Sequence, residues 1–268
     1  SKGQSDQASE DGAINNPDDL GSVKWQAGAK GAIQNNVSPA LAADGSTVYM
    51  WADQTASSPA HTYDVTLKAY NTATGALRWG FNVNDALAAL NTGGGVRQIF
   101  CSPPVGPNGD IYVAARDLKN SGAARKSFMF AVKSDGTARW NYAFGVDANF
   151  NYVTPAIDVS GNVYIGHLTT SPFQIAILNP SNGSAAYTPV ALTLGVRSGL
   201  SLDRTGNVYF CSTGTNGLFS YARAGSQNFQ YNTNFSTTGG DITIAADGTV
   251  YTVANGSTGG IVCALTSA

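Results

Sequence analysis

Glutamate is nearly missing from this chain. Of its 17 acidic residues one, Glu10, is a glutamate, and it lies in the N-terminal tail. Charge of either sign is sparse: 12% of residues are charged, Lys plus Arg number 15, and the formal net charge is −2. The densest basic stretch, Lys119 to Lys126, is a loop rather than a face, so a nucleic-acid partner is not expected. Three cysteines, Cys101, Cys211 and Cys263, are an odd number that excludes a complete disulfide framework, and they read as buried thiols in separate strands. The two histidines, His61 and His167, fall in different loops without a His-x-His spacing and read as solvated polar residues. No apolar run approaches the roughly 20 residues of a membrane-spanning helix. Helical periodicity is also lacking, apart from one expected turn at Asp85–Leu90.

What the chain has is a repeated phrase. Its clearest copy is Ala69-Tyr-Asn-Thr-Ala-Thr-Gly75-Ala-Leu-Arg-Trp79. Further copies run from Ala131 through Gly136 to Trp140, from Ile177 through Gly183 to Tyr187, and from Ser220 through Gly225 to Phe229. A fifth copy is split: it begins at Ala264 and is completed by Gly21-Ser-Val-Lys-Trp25 at the other end of the chain. A second phrase precedes each copy, an apolar run, a glycine turn and Val/Ile-Tyr, ending at Tyr49, Tyr112, Tyr164, Tyr209 and Tyr251. Asp-Gly, Ser-Gly and Thr-Gly pairs between alternating apolar runs signal hairpins. Each unit therefore reads as four antiparallel strands, A to D, and units of about 40–50 residues with four strands are propeller blades. The expected fold is all-β, a five-bladed β-propeller of four-stranded antiparallel blades. Its ring is closed by the N-terminal strand completing the last blade. Residues 1–19, polar and poor in aromatics, read as a flexible tether, and residues 20–268 as a single propeller domain.

The Ala-x-Asn-x-x-Thr-Gly-x-x-x-Trp phrase resembles the tryptophan-docking repeat of the pyrroloquinoline-quinone-type, or quinoprotein-like, propellers. The resemblance implies that Trp25, Trp79, Trp140, Tyr187 and Phe229 are blade-docking residues, each packing on the neighbouring repeat. A quinone-dependent dehydrogenase of this kind would call for a calcium site with Glu, Asn and Asp ligands and adjacent cysteines. This chain has no Glu outside its tail and no adjacent cysteines, so no cofactor and no metal are expected.

A glycoside hydrolase needs two carboxyl groups flanking the scissile bond, and the aspartates at Asp44, Asp110, Asp135, Asp158, Asp203 and Asp247 fall in or beside hairpin turns instead. No Gly-x-Ser-x-Gly elbow or phosphate loop is present. Length variation is concentrated in the B–C and D–A connections, which emerge on one face of a propeller, and variable loops on a rigid ring are where ligands bind. The shared register places Asn36, Gln98, Phe100, Asn151, Tyr152, Arg197 and Asp241 around the channel mouth on that face. Amides, two aromatics and an Arg suit a glycan or an extended peptide. Asp241 and Arg197 form the single acid–cation pairing there. The reading is a monomeric, non-catalytic binding or scaffold module with a protein or glycan partner. The alternative is an enzyme, a quinone-dependent dehydrogenase or propeller glycosidase, with its site at the channel mouth. The tail resembles the stretch after the lipidated cysteine of bacterial lipoproteins, which implies an extracytoplasmic, envelope or secreted location with a lipid anchor upstream of residue 1.

Overall fold

The computed structural model describes residues 23–27, 38–57, 62–90, 102–116, 126–144, 148, 153–167, 171–212, 217–232, 242–256 and 259–266. They form five antiparallel sheets in chain order. Sheet 1 comprises β1 (Ala40–Leu41), β2 (Thr47–Ser57), β3 (Thr62–Asn71) and β4 (Leu77–Asn82). Sheet 2 comprises β5 (Ile111–Arg116), β6 (Ser127–Val132) and β7 (Ala138–Phe144), its first strand reduced to a bridge between Val105 and Ile111. Sheet 3 comprises β8 (Ala156–Ile157), β9 (Val163–Ile165), β10 (Phe173–Leu178) and β11 (Ala185–Leu192). Sheet 4 comprises β12 (Ser201–Leu202), β13 (Val208–Cys211), β14 (Gly217–Tyr221) and β15 (Gln227–Asn232). Sheet 5 comprises β16 (Thr243–Ile244), β17 (Val250–Gly256) and β18 (Gly259–Leu265). Sheets 2 and 5 thus have three strands among the described residues, where four were expected in every repeat.

Burial follows strand position. The middle strands β5, β6, β13 and β14 are buried almost without interruption, because a neighbouring sheet covers each of their faces. The fourth strands β7 and β11 show exposed residues along their length, as outer strands do. One large apolar cluster runs through sheets 1 to 4, and a small one, Tyr209, Cys211, Leu218, Ile242 and Val250, joins sheets 4 and 5. The expected helical turn is α1 (Val83–Ala89), which buries Val83 and Leu87 and is capped by the Asn82 side chain, an acceptor for the N–H groups of Asn84 and Asp85.

Both glycine turns of the repeat adopt positive φ wherever they are described, as at Gly75 (72°) and Gly136 (87°). Beside the first of them an aspartate folds back on its own backbone: Asp158 Oδ1 accepts from the N–H groups of Ser160 and Asn162, and Asp203 Oδ1 from those of Thr205 and Asn207.

Trp79 and Trp140 tie consecutive sheets, and Trp25 ties the segment 23–27 to sheet 1. The Trp25 indole N–H donates to Thr72 O at 2.9 Å, that of Trp79 to Ser134 O at 2.7 Å, and that of Trp140 to Pro180 O at 2.8 Å. Each ring lies over the following turn glycine. A Cβ at Gly75, Gly136 or Gly183 would come within 2.7 Å of Trp25, Trp79 or Trp140 respectively, so only glycine admits the ring. Tyr187 differs. It is 41% exposed and lies under the Arg223 guanidinium, 4.8 Å from the ring centroid. Arg223 donates to the hydroxyls of Tyr164 (2.7 Å) and Tyr187 (3.1 Å) and to Asp158 Oδ2 (3.1 Å), locking sheet 4 to sheet 3 by its side chain. Phe229 packs on Tyr209, with ring centroids 5.9 Å apart.

Candidate functional site

On the face where the B–C and D–A connections lie, sheets 3 and 4 build one rigid locus. After β9 come Gly166 and His167; before β12 come Gly195 to Ser198; Ser212 follows β13. Val196 N–H donates to His167 O at 2.9 Å, and Arg197 N–H to Cys211 O at 2.8 Å. Ser198 Oγ accepts from Cys211 N–H at 2.9 Å and donates to Gly199 O at 2.7 Å, while Ser212 Oγ donates to Gly195 O at 2.9 Å. Both hydroxyls are buried and engaged by backbone, so they position the strand rather than act as nucleophiles. A Cβ at Gly166 would come 2.5 Å from Val196 Cγ2, and glycine is what lets the two sheets close there. Arg197 sits in the middle of this network, its backbone fixed on both sides and its side chain half-buried. The network fixes the Arg197 backbone and so the point from which its cationic side chain leaves the chain.

Of the channel-mouth residues expected from sequence, Arg197 is the one described; Asn36, Gln98, Phe100, Asn151, Tyr152 and Asp241 lie outside the described residues, and the Arg197–Asp241 pairing with them. His167 corrects an expectation. It is fully buried, its ring 6.0 Å from that of Phe173, rather than a solvated loop side chain. Cys211 is buried and Cys263 half-buried, with neither in a disulfide; Cys101 lies outside the described residues.

The described aspartates of the first turns serve the fold. Asp110 accepts a forked pair of bonds from Arg139, Nε at 2.5 Å and Nη2 at 3.1 Å. Burial acts to raise the Asp203 carboxyl, but hydrogen bonds from Thr205 and Asn207 outweigh it and hold the group below its ordinary 3.8. Asp135 is held low by Thr137, whose hydroxyl and N–H both donate to it. Among the described residues no group of three His, Cys, Asp or Glu could hold a metal ion, and no helix is long and apolar enough to cross a membrane.

A second concavity, unforeseen from the sequence, opens between sheets 4 and 5. It has a volume of about 540 Å³ and lies between Tyr209, Phe229 and Tyr231 on one side and Ala264, Leu265 and Thr266 on the other. Its signal was present: the fourth repeat carries Phe where the first two carry Trp, and the fifth lacks its turn.

Consecutive antiparallel sheets of three or four described strands, packed face to face and tied by aromatic docking, define a β-propeller, and solved structures agree. The chain is similar to virginiamycin B lyase from Staphylococcus aureus, with TM-score 0.54 and 14% identity over 85% of this chain and 68% of that one. It is similar to a streptogramin B lyase structure, with TM-score 0.52 and 12% identity over 85% and 68% of the two chains. A proposed 6-phosphogluconolactonase from Bacteroides uniformis matches with TM-score 0.52 and 13% identity over 88% and 72%. At such identities the likeness establishes the propeller fold. No family model and no curated protein matches the sequence.

These neighbours overturn the expected non-catalytic, non-enzymatic scaffold. That expectation passed from repeat to fold to a scaffold branch, and the fold's neighbours carry the names of lyases and a lactonase. The scarcity of glutamate argued against two particular chemistries, glycosidase and quinone-dependent dehydrogenase, and does not extend to others.

Proposed function

We propose that the chain is an enzyme on a five-bladed propeller of quinoprotein-like repeats, its ring closed by residues 21–25, with the substrate at the channel mouth on the loop face. The observation that carries the reading is the backbone network that anchors Arg197 on the loop face between sheets 3 and 4, set on a fold whose structural neighbours include a streptogramin B lyase and a virginiamycin B lyase. Opening a lactone or eliminating across a bond beside a carbonyl needs a base to take a proton and a fixed positive charge where the oxyanion develops. Arg197 supplies the charge. Asp241, at the start of the next repeat's first strand, is the base, and Asn36, Gln98 and Asn151 with the rings of Phe100 and Tyr152 orient the substrate.

The test is turnover of streptogramin B and of 6-phosphogluconolactone by the wild-type chain, Arg197→Ala and Asp241→Asn. Measurable turnover that falls by about 10²-fold or more in each variant, at unchanged melting temperature, is the expected result. A wild-type chain inert toward both substrates overturns the reading.

A further inference from the structure

We propose that the cleft between sheets 4 and 5 binds a neutral sugar, a hexopyranose unit laid face-on against the aromatic side chains of β15. The site shares no residue with the Arg197 locus, and it does not rest on the catalytic reading.

Strand pairing assembles its floor. Tyr209 of β13 stands opposite Ser220 of β14, and Ser220 opposite Phe229 of β15, so the three form one row on one face of sheet 4. Tyr231, two residues beyond Phe229, shares that face and is 41% exposed. Phe229 is half-buried, its ring 5.9 Å from that of Tyr209. Ala264 and Thr266 at the end of β18 form the far wall, and the enclosed volume of about 540 Å³ suits a small ligand. At the earlier junctions the fourth-strand aromatic has no such opening over it. A turn glycine presses on the rings of Trp79 and Trp140, and the Arg223 guanidinium lies over Tyr187. Phe229 borders the cavity instead.

The polar groups around these rings are held in place. The Asn207 amide donates to Asp203 Oδ2 at 2.8 Å and to Thr205 Oγ1 at 3.0 Å, and the Asn228 amide donates to Ser220 Oγ at 3.2 Å. With its nitrogen engaged, each amide keeps its carbonyl oxygen to accept a bond. Among the described residues no ionised side chain lines the cleft, so nothing there selects a charged ligand. The occupant that fits is neutral, has an apolar face, and carries donors around its edge. A pyranose meets all three conditions. Its axial C–H groups, slightly positive, are drawn to the negative face of an aromatic ring, while its hydroxyls donate to the amide carbonyls. A wholly apolar ligand would strip water from Asn207 and Asn228 and return no hydrogen bond.

The test is calorimetric titration of the full chain with the methyl glycosides of glucose, galactose and mannose and with cellobiose, lactose and maltose. Tyr231→Ala, Asn228→Ala and Arg197→Ala are titrated beside the wild type. Tyr231 and Asn228 are exposed, so both variants should fold, and an unchanged melting temperature verifies it. The expected result is binding of at least one of these sugars, weakened about fivefold or more in Tyr231→Ala and in Asn228→Ala and unaffected by Arg197→Ala. No binding of any of the six overturns the proposal. Binding that survives both cleft variants also overturns it, and loss in Arg197→Ala alone moves the sugar to the channel mouth. A neutral Ser/Gly peptide that binds as tightly as the best sugar, with the same loss in the cleft variants, makes the cleft a peptide site and overturns the assignment.

Discussion

Trp79 and Tyr187 hold equivalent places in the first and third repeats, yet their neighbours engage them in opposite ways. Trp79 donates its indole proton to a backbone carbonyl across the junction, whereas Tyr187 receives a proton from the Arg223 side chain. Trp79→Ala removes a large packed ring together with that bond, and chemical denaturation should show a loss of about 2–4 kcal/mol. Trp79→Phe keeps the ring and drops the donor, at a cost of about 1 kcal/mol. At the other junction Arg223→Ala strips three partners at once and leaves the Asp158 carboxylate, 4% exposed, without its cation. A loss of about 1–3 kcal/mol is expected. Arg223→Lys should recover little of it, since an ammonium cannot reach two hydroxyls and a carboxylate from one plane. Equal stability of the Lys variant and wild type would show that charge alone holds sheets 3 and 4.

At the scale of elements, the hairpin turns share an acid-sensitive part. Asp44, Asp135, Asp203 and Asp247 are all held below the ordinary carboxyl value of 3.8, the first by the Ser46 N–H and the last by the Thr249 N–H. A carboxyl depressed in the folded state contributes stability that is present above the unfolded value and lost as pH falls through the folded one. The melting temperature should therefore hold steady from neutrality down to about pH 4 and drop below it. Asp203→Asn should flatten part of that drop, and a variant with an unchanged acid limb would remove Asp203 from the account. These turns were legible in the sequence because their chemistry is local: an aspartate, a glycine one or three residues on, and alternating apolar runs on both sides. What lay across sheets was not. His167 read as solvated because it packs beside Phe173 and bonds through its carbonyl to Val196, in the segment before β12 some thirty residues on. Arg223 lies inside the fourth copy of the repeat, and its role was not legible there because its three partners come from sheet 3. Function was misread for a related reason: the repeat encodes packing between blades, and packing is common to propellers that catalyse and propellers that do not.

For the molecule as a whole, cohesion is uneven around the sheets. The large apolar cluster unites sheets 1 to 4, and two indole–glycine contacts, Trp79 on Gly136 and Trp140 on Gly183, and the Arg223 fork reinforce their junctions. Among the described residues sheet 5 is joined through a five-residue cluster, with Phe229, Ile244 and Leu265 packed against it, and a bond from Ser201 Oγ to Ile242 O. Burial also holds tyrosines protonated in the larger body. Tyr49, Tyr164 and Tyr221 are raised above 10.0, and Tyr112 is pushed up to about 12 by burial and the nearby Asp110 carboxylate. A raised value contributes stability that is whole below the unfolded value and is lost as pH rises toward the folded one. The urea midpoint should thus decline above about pH 10 as the unfolded chain releases its protons first. Regions with few buried apolar contacts open below the global unfolding free energy. Native-state hydrogen exchange should accordingly show the amides of β16–β18 exchanging through a partial opening while those of β5, β6, β9 and β10 require global unfolding. Uniform exchange free energies across all five sheets would mean that the junction between sheets 4 and 5 is as strong as the indole junctions, and that the contacts between the described residues account for only part of its strength.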